Sequence, residues 1–265
     1  MKIVRFKDSQ GNICTGKDPA DGRAEEIKET KDGTCVSTGQ TKQIKEYLPP
    51  VEPRAVLCIG LNYKKHAEET GLELPSFPVL FMKNPASAIG HEQNIVLPES
   101  CRKKEQTDYE AELAVVIGKA AKNVSAQEAL SYVKGYTIGN DVSARWWQRH
   151  AGSGQWVRGK SFDTFCPLGP VMVTADEIPD PNNLELSCRL NSDVMQQSNT
   201  SDMIFAVARL IEYLSEDTTL LPGTVILTGT PSGVGVARSP RVFIKPGDRI
   251  EVNIEKIGTL ANTVV

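Results

Sequence analysis

Two glutamates two residues apart are the first place where this sequence could do chemistry. Glu110 and Glu112 lie in QTDYEAELAVVIG, residues 106–118, directly before an apolar run that ends at Gly118. On a β-strand this spacing directs both side chains to one face. Ionised carboxylates are costly to bury unless they are paired or bind a metal. Two acids at the start of a core strand therefore need an explanation.

A third acid extends the pair into a candidate metal site. Asp141 follows an apolar stretch in GYTIGNDVSARWWQ, residues 135–148. Carboxylate oxygens are hard ligands that suit Mg²⁺, Mn²⁺ or Ca²⁺. Acidic pairs on strands are more commonly solvated edge positions, so spacing alone leaves both interpretations open.

A histidine and a glutamate offer a second kind of chemistry. His66 lies in GLNYKKHAEETG, in a loop or short helix, and Glu69 follows three residues later. One helical turn would bring them into contact, and a His–carboxylate pair serves general acid–base catalysis. The alternative is a surface histidine beside an acidic run, which the residues alone favour.

One segment matches the phosphate-loop motif but lies in the wrong structural context. GQWVRGKS, residues 154–161, matches G-x-x-x-x-G-K-[ST], but such a loop follows a buried strand and opens a helix. Here RWWQRHAGSG precedes it and prolines follow, so we reject nucleotide binding and keep Lys160 as a candidate cation. The Trp-rich stretch 146–156 is either a helix packed on the core or one wall of a pocket.

The elements that must position these residues are mostly strands. Apolar runs predict strands at AVLCIG, FPVLFMK, NIVLP, ELAVVIG, TVILTG and RIEVNIEKIG. Two helices are predicted: one over 126–134, with a capping box from Ser125 to Glu128 and Gly135 after its end, and one over 202–215. Strands outnumber helices without regular alternation, which predicts an α+β protein with mixed or antiparallel sheets.

Composition limits the class of protein. The 265 residues have a formal net charge of −3 and no basic block, so we expect neither nucleic-acid nor membrane binding. No signal peptide or membrane-spanning run is present, which predicts a cytoplasmic protein, or a mitochondrial one only if a targeting segment is missing. Six cysteines without a C-x-x-C pair are expected to be reduced and mostly buried. A proline-rich linker at 48–54 separates a small extension, residues 1–50, from a main region, residues 51–265.

Seven ordered motifs, taken together, are similar to the fumarylacetoacetate hydrolase superfamily from about residue 55 to the end. They are GLNYKKHAEE, PVLFMK, DYEAELAVVIGK, GYTIGNDVSAR, WVRGKSFDTFCPLGP, QQSNTSDMIF and ILTGTPSGVG. FDTFCPLGP and VFIKPGDRIEVNIEKIG resemble most the branch called fumarylacetoacetate hydrolase domain-containing protein 2. The resemblance implies a mixed β-sandwich roll with a few flanking helices, commonly a homodimer, with residues 1–50 packed on the catalytic domain.

The resemblance also assigns site residues. It implies that the metal ligands, for Mg²⁺ or Mn²⁺ with Ca²⁺ as a substitute, are Glu110, Glu112 and Asp141. Three carboxylates and a dication leave one negative charge, so an anionic 2-oxo acid needs further cations nearby. The family positions implied to bind substrate are Arg145, Gln148 and Thr230, and those implied to be catalytic are Lys160 and the lid pair His66 and Glu69.

The implied chemistry is a metal-stabilised enolate of a small 2-oxo (di)carboxylate. In this hypothesis Lys160 stabilises the developing oxyanion, and His66, oriented by Glu69, moves a proton or activates water. Keto–enol tautomerisation or isomerisation of oxaloacetate or a 2-hydroxymuconate-type substrate is the first expectation. Hydrolysis of acylpyruvates or fumarylpyruvate-type diketo acids and oxaloacetate decarboxylation are the alternatives. A metal- or ligand-binding protein without turnover is the non-enzymatic one.

Overall fold

A computed structural model describes residues 1–30, 34–102 and 106–265, without the side chains of residues 152 and 153. The strands in that part are β1 Lys2–Lys7, β2 Ile13–Ala20, β3 Arg23–Glu29, β4 Cys35–Gln43, β5 Glu46–Leu48, β6 Ala55–Gly60, β7 Val79–Lys83, β8 Ala88–Ile89, β9 Thr107–Asp108, β10 Ala111–Ile117, β11 Val133–Asn140, β12 Ser143–Ala144, β13 Cys166–Thr174, β14 Glu185–Leu190, β15 Asp193–Asn199, β16 Thr224–Leu227, β17 Arg249–Ile254 and β18 Gly258–Thr263. The α-helices are α1 Lys64–Thr70, α2 Glu99–Arg102, α3 Arg145–Arg149, α4 Val157–Lys160 and α5 Val207–Ser215.

Most strands join one large mixed sheet. Its order is β4-β3-β2-β1-β13-β11-β10-β16-β6-β7, with β5 added to β1 and β8 added to β13. The pairs β6–β16 and β8–β13 are parallel, and the other pairs in this sheet are antiparallel. A four-stranded sheet, β15-β14-β17-β18, packs against one face of the large sheet and closes the main core. The predicted α+β class, a mixed β-sandwich roll with few flanking helices, is confirmed.

Strand β10 runs through the middle of this arrangement. All seven of its residues are buried. Leu113, Val115 and Ile117 face the core shared with the smaller sheet, while Ala114 and Val116 belong to a second apolar cluster on the opposite face. Since alternate residues share a face, Glu112 lies on the side of Ala114 and Val116. Glu110 and Glu112 therefore lie inside the protein, at the N-terminal end of an otherwise apolar strand.

The strands of residues 1–50 extend the large sheet. β1 pairs with β13 through Lys2–Val173 and Ile3–Met172, and β2 to β4 follow outward. The division into an extension, residues 1–50, and a catalytic region, residues 51–265, stays a proposal. In the described part of the chain, no helix combines the length and the apolar character needed to cross a membrane.

The helix predicted over 126–134 is wrong. Only a 3₁₀ turn forms there, Ala129–Tyr132, and β11 begins at Val133. Ser125 does not cap a helix, because its hydroxyl donates to the Glu128 carboxylate at 2.7 Å. Gly135 lies within β11, where a Cβ would collide with the backbone of Val173. Pairing of β11 with β10 and β13 thus overrides the local capping pattern.

Other expectations hold with changed boundaries. The helix predicted over 202–215 begins only at Val207, after a 3₁₀ turn at Thr200–Asp202. The run NIVLP forms a single bridge, between Ile95 and Val264, instead of a strand. All six cysteines are free thiols, and all except Cys35 are buried, as predicted.

Candidate active site

The three carboxylates predicted as metal ligands converge where β10 and β11 meet. Glu110 directly precedes β10, Glu112 lies within it and Asp141 directly follows β11. The antiparallel register places Glu112 opposite Gly139, and the Asp141 amide donates to the Glu110 carbonyl at 2.9 Å. All three side chains are buried, with one oxygen of each within 4.8 Å of the others. Sheet pairing therefore assembles the acid cluster that the spacing only suggested.

Buried cations surround two of these acids. The Lys160 ammonium lies 2.7 Å from both Glu110 and Asp141. Lys83 lies 2.6 Å from the other oxygen of Asp141, and Arg145 lies 2.7 Å from the other oxygen of Glu110. Burial raises the pKa of Glu110, but Lys160 and Arg145 outweigh it and lower that pKa to about 2. Glu110 is therefore held ionised.

Glu112 is different because it has no cationic partner among the described residues. Its carboxylate accepts one hydrogen bond, from the Gly229 amide at 2.8 Å. Burial and the nearby charges of Asp141 and Glu110 raise its pKa well above the usual range. Gly229 reaches this position with a φ of +99°, and a Cβ there would lie 2.6 Å from the Cβ of Asn62. An underpaired buried acid beside two further carboxyl groups, all hard oxygen donors, fits a divalent cation.

A fourth buried acid completes the charge balance. Asp108 accepts hydrogen bonds from Arg145 Nε at 2.8 Å and from the amides of Gly235 and Val236 at 2.8 and 3.0 Å. Asp108 and the three candidate ligands give four carboxylates against Lys83, Lys160 and Arg145. A divalent cation would turn the resulting single negative charge into a single positive one. The complete site would then attract an anion.

His66 and Glu69 form the predicted pair. Both lie on α1, and His66 Nδ1 is 3.1 Å from Glu69 Oε2. The other Glu69 oxygen accepts the Gly233 amide at 2.9 Å. Burial raises the pKa of Glu69, but the hydrogen bonds from His66 and Gly233 bring it below its ordinary value. The pair is therefore oriented by a loop on the other side of the cavity.

The peptide of Gly233 is itself fixed. Its carbonyl accepts hydrogen bonds from the Tyr109 hydroxyl at 3.1 Å and from Arg238 Nε at 3.3 Å. Gly233 has a φ of +101°, and a Cβ there would collide with the carbonyl oxygen of Met195. This part of TGTPSGVG is thus a rigid anchor for Glu69 and, through it, for His66.

Most of these groups line one cavity of about 360 Å³, whereas Asp141 and Glu69 reach it only through the residues that they contact. The sequence-predicted residues that line it are His66, Glu110, Glu112, Arg145, Gln148, Lys160 and Thr230. The apolar part of its wall includes Ile59, Leu72, Phe81, Trp156, Val234 and Val236. The volume falls in the range of small-molecule sites.

The side chains of Gln148 and Thr230 are held by their neighbours. Gln148 accepts a hydrogen bond from Arg145 at 3.0 Å. The Thr230 hydroxyl donates to the carbonyl of Ala111 at 3.0 Å and accepts from Gln196 at 2.8 Å. Both residues therefore present a fixed polar surface to the cavity, which agrees with the predicted substrate-binding positions without testing that role.

Both interpretations of the Trp-rich stretch apply, to different residues. Trp156 lines the cavity and contacts the edge of Phe81, with ring centroids 5.2 Å apart. Trp147 instead packs against Phe162 at 5.9 Å. The chain before Lys160 consists of α3, a 3₁₀ turn and α4, without the strand that a phosphate loop requires. Lys160 binds carboxylates of the protein itself.

Sequence reasoning missed two buried members of the cluster, Lys83 and Asp108. Lys83 ends the apolar strand FPVLFMK, and a lysine there is the signal that could have singled it out. Asp108 precedes Glu110 by two residues, so D-x-E-x-E was the fuller pattern. Both are needed to account for the charge of the site.

Comparison with known proteins gives concordant matches. The family described as fumarylacetoacetate (FAA) hydrolase C-terminal matches residues 55–265. Oxaloacetate tautomerase FAHD2A, mitochondrial, from Bos taurus is 47% identical over 220 residues, which cover 83% of this chain and 69% of that protein.

Solved structures show the same architecture. The 5-carboxymethyl-2-hydroxymuconate delta-isomerase from Mycobacterium smegmatis superposes with a TM-score of 0.86 at 40% identity, covering 100% of this chain and 99% of that one. The fumarylpyruvate hydrolase from Pseudomonas aeruginosa, in complex with Mn²⁺ and pyruvate, has a TM-score of 0.73 at 30% identity, covering 83% and 92%.

Proposed function

Because this chain belongs to the fumarylacetoacetate hydrolase family, we propose that it is a divalent-metal-dependent enzyme that tautomerises or isomerises small 2-oxo (di)carboxylates such as oxaloacetate. One observation supports this most directly. A cluster of buried carboxylates, one of them without a cationic partner in the described part, lies in a cavity together with an oriented His–Glu pair. The bovine and mycobacterial relatives are named a tautomerase and an isomerase, which supports the same reaction class.

The residues that would hold the cation are Glu110, Glu112 and Asp141. When bound, Mg²⁺ or Mn²⁺ supplies Lewis-acid polarisation of the 2-oxo group. The Mn²⁺ in the Pseudomonas protein supports this metal class, and Ca²⁺ is a substitute of the same ligand preference.

Lys160 and Arg145 act through the carboxylates that they touch. Lys160 joins Glu110 to Asp141, so it keeps two candidate ligands in place and adds positive potential to the cavity. Its role as an oxyanion stabiliser stays a prediction, because its ammonium is already shared between two acids. Arg145 and the Gln148 amide present donors to the substrate carboxylate and carbonyl, and the Thr230 hydroxyl, whose hydrogen is donated to Ala111, lines the cavity beside them.

His66 moves the proton. Its Nδ1 is engaged with Glu69, which leaves Nε2 for the substrate. In the keto-to-enol direction Nε2 accepts a proton from C3, the C–H electron pair becomes the C=C bond, and the C=O π pair moves to the 2-oxo oxygen. Transfer of a proton to that oxygen completes the enol. In the reverse direction the oxygen loses its proton, the C=O bond re-forms, and the His66 imidazolium returns a proton to C3. Glu69 fixes the ring orientation and stabilises the imidazolium that exists between the two transfers.

Hydrolysis of a C–C bond is the second candidate. The same His–Glu pair could activate a water for attack on the second carbonyl of an acylpyruvate, and the Pseudomonas relative is named a fumarylpyruvate hydrolase. Oxaloacetate decarboxylation would use the same polarised 2-oxo group without needing that water.

A proton NMR time course on oxaloacetate and a short acylpyruvate, with Mg²⁺ and enzyme, separates these outcomes. Faster keto–enol conversion with intact carbon skeletons supports the tautomerase. Release of pyruvate and a carboxylic acid from the acylpyruvate would indicate a hydrolase instead. Conversion of oxaloacetate to pyruvate would indicate a decarboxylase instead. Metal-stripped enzyme serves as the control, and full activity there would contradict the scheme.

We also propose a homodimer. β7 ends the large sheet and exposes Val79, Leu80 and Met82 beside an unpaired strand edge, which favours association. Sedimentation of the wild type and of Leu80→Asp would test it. Cytoplasmic location stays a prediction to be checked by fractionation, since the bovine relative is named mitochondrial.

A further inference from the structure

Two guanidinium groups lie beside the cavity of the candidate active site. Arg149 lines that cavity and also a smaller one of about 160 Å³, which His150 and Arg241 border as well. The two cavities share Arg145, Arg149 and Val236 in their walls. A ligand seated in the larger cavity therefore lies next to the pair Arg149 and Arg241, which we name the rim arginines.

The rim arginines differ from the other cations of the site. Lys160 and Arg145 are both paired with the buried carboxylates. Arg149 and Arg241 have no carboxylate within ion-pair distance in the part of the chain that the structure describes, residues 103–105 being outside it. They face each other and Arg145 as like charges. Burial and the charges of Arg145 and Arg241 lower the pKa of Arg149 and outweigh the charge of Asp108, which raises it.

Helix α3 directs Arg149 to the same side as the substrate-binding positions. Arg145, Gln148 and Arg149 are related by three and four residues, which places them on one helical face. Arg145 and Gln148 are buried at the inner part of this face, whereas Arg149 is exposed. A ligand that extends outward from the carboxylate cluster therefore passes Arg145 first and then meets Arg149.

We propose that Arg149, supported by Arg241, binds a second, distal carboxylate of the substrate and so selects dicarboxylic 2-oxo acids. This inference rests on the proposed function, because the 2-oxo acid end must occupy the inner part of the cavity. An arginine fork matches the two oxygens of a carboxylate. Val236 lines both cavities beside Arg145 and Arg149.

A matched pair of unreactive ligands tests the proposal. N-oxalylglycine has a 2-oxo acid end and a distal carboxylate, while N-ethyloxamate has the same 2-oxo acid end and a methyl group instead. Calorimetry on the full chain with Mg²⁺ gives both dissociation constants. We expect N-oxalylglycine to bind about tenfold more tightly to the wild type, the order of one partly solvated charge-assisted hydrogen bond.

Substitution then assigns the difference to a residue. Arg149→Gln is expected to abolish the tenfold preference by weakening N-oxalylglycine, and Arg149→Lys to restore part of it. Arg241→Gln is expected to reduce the preference less. Arg23→Gln, which removes an exposed arginine on β3, is the control for a change in net charge, and unfolding curves show that each variant is folded.

The outcomes separate the two proposals. Equal binding of both ligands to the wild type, or a preference that survives Arg149→Gln, overturns the distal carboxylate site and leaves the proposed function intact. If neither ligand binds the Mg²⁺-loaded wild type, the 2-oxo acid site itself fails, and this inference fails with it. Tighter binding of N-ethyloxamate would indicate a substrate with an apolar tail along Phe81 and Trp156.

Discussion

Two lysine–carboxylate pairs of equal length show how differently the same contact acts in two regions of the large sheet. Lys160 and Glu110, in the acid cluster, are 2.7 Å apart with side chains 2% and 8% exposed. Lys134, at the start of β11, and Glu29, at the end of β3, are also 2.7 Å apart but 31% and 49% exposed. Water can solvate either charge of the exposed pair if its partner is lost, whereas a charge left alone in the buried cluster has no water to solvate it. Burial, and not distance, therefore decides how much the loss of one partner costs in stability.

The largest effect is expected when the buried lysine is removed. Lys160→Met leaves Glu110 and Asp141 with one cation fewer, so the free energy of unfolding of the metal-free protein should fall by about 3–5 kcal/mol. The matched change at the surface, Lys134→Met, should cost at most about 1 kcal/mol. Chemical denaturation followed by tryptophan fluorescence measures both.

Added Mg²⁺ should change the stability of Lys160→Met and of the wild type by different amounts. A dication should offset part of the charge lost in Lys160→Met, so added Mg²⁺ should stabilise that variant more than the wild type. Equal losses in the Lys160 and Lys134 variants would contradict the distinction between the two regions.

Removing the underpaired acid should separate binding from stability. Glu112→Gln deletes the charge that has no cationic partner in the described part, so Mg²⁺ affinity should fall about a hundredfold or more, in line with the loss of a charged metal ligand. The metal-free variant should unfold at the same temperature or higher, because repulsion from Asp141 and Glu110 is relieved.

Calorimetric titration with Mg²⁺ and thermal unfolding without it test the two halves of this prediction. Glu29→Gln is the control at the surface and should change neither quantity appreciably. A strongly destabilised, metal-free Glu112→Gln would show that this carboxylate is well paired without a cation.

A change in the His–Glu pair should affect turnover alone. His66→Asn removes the proton acceptor and should lower kcat by about 10²–10⁴-fold, the usual contribution of general acid–base catalysis. Mg²⁺ affinity should stay within about twofold, because His66 touches Glu69 and none of the candidate ligands. Glu69→Gln keeps a hydrogen bond to the ring and should cost less than His66→Asn. A parallel loss of Mg²⁺ binding would place His66 among the ligands instead.

The smallest effect is expected at His91, whose side chain is more exposed than Lys160 and Glu110 and less exposed than Lys134 and Glu29. Burial lowers the pKa of His91 below its ordinary value near 6.5, and its Nδ1 accepts the Ala261 amide at 3.0 Å. A histidine with a lowered folded-state pKa stabilises the protein fully above the unfolded-state pKa and loses that contribution as the pH falls through the folded-state pKa. Unfolding free energy should therefore decrease below about pH 6.5, and less steeply in His91→Gln. Equal pH slopes in both proteins would contradict this.

The sequence predicted the acid cluster better than its surroundings. Glu110, Glu112 and Asp141 could be found because strand periodicity places two of them on one face and the family motif adds the third. The roles of Lys83 and Asp108 do not follow from their spacing alone, because their partners are distant in the sequence. Lys83 pairs with Asp141, and Asp108 binds Arg145 of α3 and the amides of a 3₁₀ turn. The false helix over 126–134 has the same origin. Ser125 and Glu128 have the residue types of a capping box but contact each other through their side chains, and Gly135 lies in a strand that pairs with two neighbours.

The pairing of β10 with β11 has a consequence for how the chain folds. This hairpin and the contact of Lys160 with Asp141, 19 residues apart, are among the more local contacts of the carboxylate cluster, and the hairpin brings Glu110 next to Asp141. The lysines that neutralise them come from β7 and α4, and the loop that contacts Glu112 follows β16. Contacts of greater sequence separation form later at greater entropic cost. The hairpin therefore concentrates negative charge that Lys160 offsets from nearby in the sequence and that Lys83, 58 residues from Asp141, offsets only when β7 joins the sheet. Electrostatic repulsion thus disfavours states in which the sheet is incomplete.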